Sequence, residues 1–209
     1  MKVRVLTLLA CLVGSGHAGA ADGHWNFRVL LGDTEIGRHR FTLTGQGDQR
    51  TLRSEAAFTV KLLGLTVYRY RHEATEQWAG DCLTRLTAQT DDNGTPLAVA
   101  ARREGSALKV KSPQGEASVD GCVMSFAYWN PAMLRQHQLL NAESGRLETV
   151  RIKRVESVAV AAGGQSESAR HYVIEGLERP LELWYSPKGD WLALESTVAG
   201  GKRLRYELQ

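Results

Sequence analysis

Long apolar runs are missing from this chain. No uninterrupted stretch of its 209 residues reaches the roughly 20 apolar residues that a membrane-crossing helix needs. An excess of one charge is missing too. The 26 Lys+Arg face 23 Asp+Glu, a formal net charge of +3. A nucleic-acid binder needs a concentrated basic surface, so that class is set aside. Cysteine is scarce, three in all. No C-x-x-C or H-x-x-x-H spacing offers a zinc site. No G-x-S-x-G, P-loop or H-E-x-x-H signature occurs. Ser125, beside Cys122, can be joined on paper with His137 and some Asp into a hydrolase trio, but a chain with many Ser offers such trios by chance. Neither Cys82 nor Cys122 has a His nearby, which argues against a cysteine nucleophile. No cofactor and no metal are expected, and an enzyme has little support.

What is present is 43% apolar residues, enough for a core and too many for a disordered chain. The length suits one domain. Residues 1–20 read as a secretory leader. Lys2 and Arg4 precede the short apolar stretch Val5–Val13, and Ala18-Gly19-Ala20 supplies the small residues of a cleavage site before Ala21. Leu8-Leu9-Ala10-Cys11 also looks like a lipidation site, but too little apolar sequence precedes Cys11. Cleavage after Ala20 leaves Cys82 and Cys122 in an oxidising compartment, where paired thiols become disulfides. A Cys82–Cys122 bridge and a periplasmic location are therefore expected.

Residues 21–209 form the expected single β-rich domain. Their dominant pattern has period two. Trp25, Phe27, Val29 and Leu31 alternate with Asn26, Arg28 and Leu30. His39, Phe41 and Leu43 alternate with Arg38, Arg40 and Thr42. Such alternation marks half-buried strands. Gly32-Asp33, Asp92-Asn93-Gly94, Pro113-Gln114-Gly115 and Pro187-Lys188-Gly189-Asp190 supply turns between the runs. Further strands are expected at 147–156, 169–176, 180–186, 191–198 and 203–208. One segment reads as helix, 131–140, with Pro131 in the first turn and Asn130 as cap. The expected fold is all-β: one strongly curved antiparallel sheet or half-barrel with one short helix.

The longest run, Leu65–Trp78, carries the candidate site. Tyr68, Tyr70, His72, Glu76 and Trp78 share one face, and Arg69, Arg71, Glu73 and Gln77 the other. The second set needs water, so the first set faces inward. His72 and Glu76 are four apart on a strand, about 13 Å, and cannot form a dyad. A buried Glu76 then needs a cross-strand donor or a hydrated pocket. The plain reading of this face is an amphipathic core. The functional reading is a ligand-facing aromatic strip, with Tyr128, Trp129 and Trp184 from two further aromatic clusters. Adjacent aromatics on a strand point opposite ways, so one of each pair must find a second surface: a helix, a cavity or a partner. The dispersed basic residues, such as Arg102, Lys109, Lys153 and Arg205, read as a solvated outer face.

The block Cys122–Leu134 (CVMSFAYWNPAML), followed by Leu139-Leu140-Asn141 and Gly145, resembles a family of secreted Gram-negative bacterial proteins, domain-of-unknown-function 6134. Ile36-Gly37-x-His39-x-Phe41, Tyr68-x-Tyr70-x-His72-x-x-x-Glu76-x-Trp78, Leu183-Trp184-Tyr185-Ser186 and Leu204-Arg205-Tyr206 extend the resemblance over the chain. It implies a β-rich periplasmic protein and brings no catalytic residue. Three functions follow in order: a non-catalytic carrier for an apolar or amphiphilic molecule such as a lipid, an envelope protein-interaction module with a packed interior, and an enzyme using His72, Glu76 and Tyr68 or Tyr70.

Overall fold

The computed structural model describes residues 22–162 and 165–209. The expected leader and Cys11 lie outside them. The strands are β1 (Gly23–Leu31), β2 (Thr34–Gln46), β3 (Gln49–Leu62), β4 (Leu65–Ala79), β5 (Cys82–Asp92), β6 (Thr95–Glu104), β7 (Ala107–Ser112) and β8 (Gly115–Asp120), then β9 (Gln138–Leu140), β10 (Leu147–Thr149), β11 (Arg151–Arg154), β12 (Val158–Ala162), β13 (Gln165–Glu175), β14 (Leu181–Tyr185), β15 (Trp191–Thr197) and β16 (Arg203–Leu208). Fourteen of them make one sheet, ordered β11-β13-β14-β15-β16-β1-β2-β3-β4-β5-β6-β7-β8, with β12 on β13. Every ladder in it is antiparallel. Neighbours in sequence are mostly neighbours in the sheet, because tight turns leave no length for a crossover. β8 and β11 are the two ends of this path, so the half-barrel is open.

The sheet curls strongly. Phe58 on β3 and Tyr206 on β16 are three ladder steps apart, roughly 14 Å on a flat sheet. Their rings meet at 6.3 Å between centroids. The alternation puts the apolar parity on the concave side and the charged parity on the convex side. Phe27, Val29, Phe41, Leu43, Leu52, Phe58, Leu86 and Val99 are buried in one core. Arg38, Arg40, Arg71, Arg85, Arg102, Lys109 and Lys153 are exposed.

Residues 121–150 leave the sheet and cross its concave side. The disulfide Cys82–Cys122, with Cα atoms 5.0 Å apart, ties their start to β5. Beside it the Leu83 N–H donates to the Val123 carbonyl at 2.8 Å. Val123, Met124, Ala127, Trp129, Met133, Leu139 and Leu140 then fill the curl. The segment reaches the far wall where the Tyr185 hydroxyl donates to the Tyr128 carbonyl at 2.8 Å.

Three features depart from the sequence reading, the first being that the strand expected over 147–156 is broken at Val150 into β10, which pairs with β9, and β11, which pairs with β13. The helix expected over 131–140 is a 3-10 turn of five residues, Pro131–Arg135. Asn130 caps it as expected, its side chain accepting from the Ala132 N–H. Gln136 is then extended, and Gln138–Leu140 pair with Leu147–Thr149 as a small ladder. Leu139 and Leu140 both become fully buried that way. β12 was not expected at all. Its pairing with β13 makes a hairpin whose Val160 packs on Trp184, Leu192 and Ala193.

The bridge closes a separation of 40 residues, for which the chain-entropy relation gives roughly 4 kcal/mol. Cys122→Ser is expected to lower the melting temperature sharply and to expose one titratable thiol, Cys82. Wild type purified without reductant should show neither Cys82 nor Cys122 as free thiol. Two free thiols there would refute the pairing.

Candidate functional site

The concave side is only partly filled. Between the sheet and residues 126–148 lies a cavity of about 620 Å³. Its origin is legible in the register. Ser54, Ala74 and Ala88 stand directly opposite one another across β3, β4 and β5. Of these, Ser54 and Ala74 line the cavity, and their small side chains leave a hollow where larger ones would have met the crossing segment. Phe41, Leu52, Ala74, Leu181, Leu194 and Leu204 supply apolar wall. His39, Ser54, His72, Glu76 and Tyr206 supply polar groups deep inside. Arg146, Glu148, Glu178 and Arg179 stand at the mouth.

The two ends of the curl differ. One end is closed by packed aromatic rings. Trp78 meets Trp129 edge to face at 5.6 Å, and Trp191 meets Phe27 at 4.3 Å and Tyr128 at 5.0 Å. The other end carries the 176–180 turn, the 141–148 loop and the chain between β15 and β16. The cavity opens there.

Each deep polar group has a partner. The Glu76 carboxylate accepts from Trp78 Nε1 at 3.1 Å and from the Ser125 hydroxyl at 3.0 Å. The sequence reading asked for a cross-strand donor or a hydrated pocket, and Glu76 does line the cavity. The donors are instead the indole two residues along the same strand and a hydroxyl from the crossing segment. Burial still outweighs these bonds and pushes the Glu76 carboxyl up to about 7. His72 Nδ1 shares a 2.8 Å hydrogen bond with the Thr90 hydroxyl. His39 Nε2 shares one of 2.7 Å with Ser54, and its Nδ1 one of 3.3 Å with Tyr206. Burial pushes His72 down to about 4. Burial, then the neighbouring His72, pushes His39 down to about 3. Nearer the mouth the Tyr70 hydroxyl donates to Glu143 at 3.0 Å. Burial raises the Glu143 carboxyl, against that hydrogen bond. At neutral pH both histidines are therefore uncharged, and Glu76 is drawn toward its protonated form. The floor is polar but nearly neutral, and full charges gather at the mouth.

The structure brings together part of the residue set expected from sequence. Tyr70, His72, Glu76 and Tyr128 line the cavity. Tyr68 faces the right way, but its hydroxyl is spent on Asp92 at 2.6 Å, beside the β5–β6 turn. Trp78 and Trp129 are in the closed end, buried against each other rather than facing the hollow. Trp184 is on the opposite face of the sheet, stacked on His171 at 4.4 Å under the β12–β13 hairpin. Tyr185, its neighbour, takes the inward position. Sequence reasoning missed His39, Ser54, Glu143 and Tyr206. The first, second and fourth lie on inward parities that alternation marks. Glu143 sits in a loop without period, and nothing in the sequence points to it. Ser125 does not meet Cys122 or His137 in a triad. Its hydroxyl serves Glu76.

A family model described as Domain of unknown function (DUF6134) matches residues 27–209. No curated protein matches the sequence. Among solved structures, the chain is similar to the crystal structure of a β-barrel-like protein of domain of unknown function DUF1849 from Brucella abortus. The TM-score is 0.62 at 14% identity, over 89% of this chain and 94% of the other. At that identity the likeness concerns the fold alone.

The two kinds of shifted group predict opposite slopes. Glu76 is raised from its ordinary 4.5, so its contribution is intact at acid pH and is lost as pH rises from 4.5 through about 7. The histidines are lowered from 6.5, so theirs is intact above 6.5 and lost as pH falls through about 4 and 3. Glu76→Gln should therefore gain on wild type between pH 4.5 and 7, by on the order of 3 kcal/mol, and hold that gain above. Urea unfolding across that range measures it. A lead that shrinks with rising pH would mean that the fold prefers Glu76 ionised.

Proposed function

The chain belongs to the DUF6134 family, and on that premise we propose that it is a periplasmic, non-catalytic carrier of a small amphiphile such as a lipid. The observation that carries this reading is the unfilled hollow under an otherwise well-packed half-barrel. At about 620 Å³ it falls within the ~300–1,000 Å³ range of small-molecule pockets. Its walls suit an apolar body. Its neutral floor offers hydroxyl, imidazole and carboxyl groups to a few uncharged polar atoms, and disfavours a buried charge. Arg146 and Arg179 stand beside Glu148 and Glu178 at the mouth, so charges of both signs there suit a polar head group left near water. The leader-like residues 1–20 and the Cys82–Cys122 bridge support export to an oxidising compartment. The competing reading as an interaction module relied on surface aromatics at 128–129 or 184–185. Trp129, Trp184 and Tyr185 are all buried, which weakens it.

The test is direct. Native mass spectrometry of gently purified protein should show a bound molecule of lipid-like mass, and a fluorescent fatty acid should bind and be displaced by a cell lipid extract. Ala74→Phe fills the hollow at the row of small residues and should abolish probe binding. Leu194→Phe, on a different wall, guards against a variant that fails to fold. Folded variants that bind the probe as wild type does would sink the carrier reading.

A further inference from the structure

The hairpin joining β3 and β4 does not fit a soluble surface. Leu62 is 63% exposed, Leu63 95%, Leu65 72% and Val67 51%. Among the described residues these are four of the five large apolar side chains counted as exposed. Scattered exposed apolar residues are ordinary, whereas four around one turn are not. The turn itself is committed to this shape, since Leu63 and Gly64 both adopt positive φ, 51° and 83°.

The hairpin also stands clear of its neighbours. β2 pairs with β3 no further than Phe58, and β5 pairs with β4 no further than Tyr70. Gly37 marks the departure of β2, for a Cβ there would lie 2.0 Å from the Ala57 carbonyl oxygen. Residues 59–68 therefore make ladder pairs only with one another and with Arg69, Thr59 with Arg69, Val60 with Tyr68 and Leu62 with Leu65, while Arg69 and Tyr68 still hold the β5–β6 turn through Asn93 and Asp92. Val60 still packs against the core, so the free tip is residues 61–67, which from Val60 to Leu63 extends roughly 10 Å. Interfacial elements sink about 5–10 Å into the boundary between headgroups and acyl chains, so the projection is long enough.

Charge points to the same partner. From Thr59 to Arg71 the hairpin carries Lys61, Arg69 and Arg71 and no acidic residue. All three are exposed. Apolar side chains at the tip and cations at the stem match a bilayer with anionic headgroups, the tip entering the acyl region while the cations stay at the headgroup level. A protein partner would need a second, shape-matched rim, and the tip is too narrow to provide one. The placement is also suggestive, because antiparallel register puts this turn at the open end of the curl, with the 176–180 turn and the mouth of the cavity.

We propose that the β3–β4 hairpin is a membrane-docking element that seats Leu62, Leu63, Leu65 and Val67 in an anionic lipid surface and presents the cavity mouth to it. The proposal rests on the carrier reading for its purpose but on different residues for its substance. The full chain is co-sedimented with vesicles rich in phosphatidylglycerol and with vesicles of phosphatidylcholine alone, so that the N-terminal apolar stretch is common to every arm. Leu63→Glu with Leu65→Glu should lower partition into the anionic vesicles at least about tenfold, with an unchanged melting temperature and unchanged fatty-acid binding in solution. Lys61→Gln and Arg69→Gln should each weaken it about fivefold on anionic vesicles and little on neutral ones. Ala74→Phe should dock as wild type does. Vesicle binding that ignores the two Glu substitutions overturns the proposal. So does a chain that stays in the supernatant, or one whose Glu variant changes from dimer to monomer instead. If the wild type binds the fluorescent fatty acid yet never sediments with vesicles, docking fails and the carrier reading stands. If it docks but binds no probe, the reverse holds.

Discussion

A sheet that curls has to cover its concave face, and here residues 121–150 do so. Among the joins between sheet and cover, one is a fully buried carboxyl group. Glu76 takes one hydrogen bond from its own strand, through Trp78, and one from the cover, through Ser125. Removing a donor would strand a buried acceptor, which costs more than an ordinary hydrogen bond contributes. The pair of bonds thus sets the depth at which the segment lies, and the disulfide at Cys122 sets where it begins. From those two anchors Tyr128 is carried to the far wall and the Trp78–Trp129 contact closes one end.

The cavity is what remains after that placement. Part of its volume comes from the small inward pair Ser54 and Ala74, set opposite each other by register. Its electrostatics come from burial. Desolvation holds His39 and His72 neutral and pulls Glu76 toward protonation, so the interior offers hydrogen bonds with little fixed charge. Only the mouth, with Arg146, Glu148, Glu178 and Arg179, is fully charged. A gradient from apolar walls and neutral floor to charged mouth favours a molecule with one polar end.

The two ends of the half-barrel are unequal for a related reason. The closed end gathers five large rings in contact: Trp78, Trp129, Trp191, Phe27 and Tyr128. Stability is concentrated there, with the disulfide beside it. The open end carries the turns, the apolar β3–β4 tip and the cavity mouth. Binding residues on the less packed end of a rigid scaffold are a common division of labour.

Much of this was determined by the sequence alone. Alternation of apolar and charged residues specified the strands, their inward and outward faces and the antiparallel β class, because a side chain's face depends only on its own strand's period of two. Cys82 and Cys122, the two cysteines beyond residues 1–20, were legible as the bridge that the structure contains. The tertiary structure alone decided where Trp184 goes, since only the β12–β13 hairpin, whose Val158–Ala162 stretch carries no alternation of polar and apolar residues, covers it. It alone ended the helix at Arg135, because the ladder to β10 competes for the same backbone. It alone supplied Ser125 as the second donor to Glu76, and Glu143 as the partner of Tyr70. Those contacts join residues 49 and 73 positions apart. Periodicity is a local property, whereas a cavity is the difference between surfaces brought together from distant parts of the chain, and no local pattern encodes that difference.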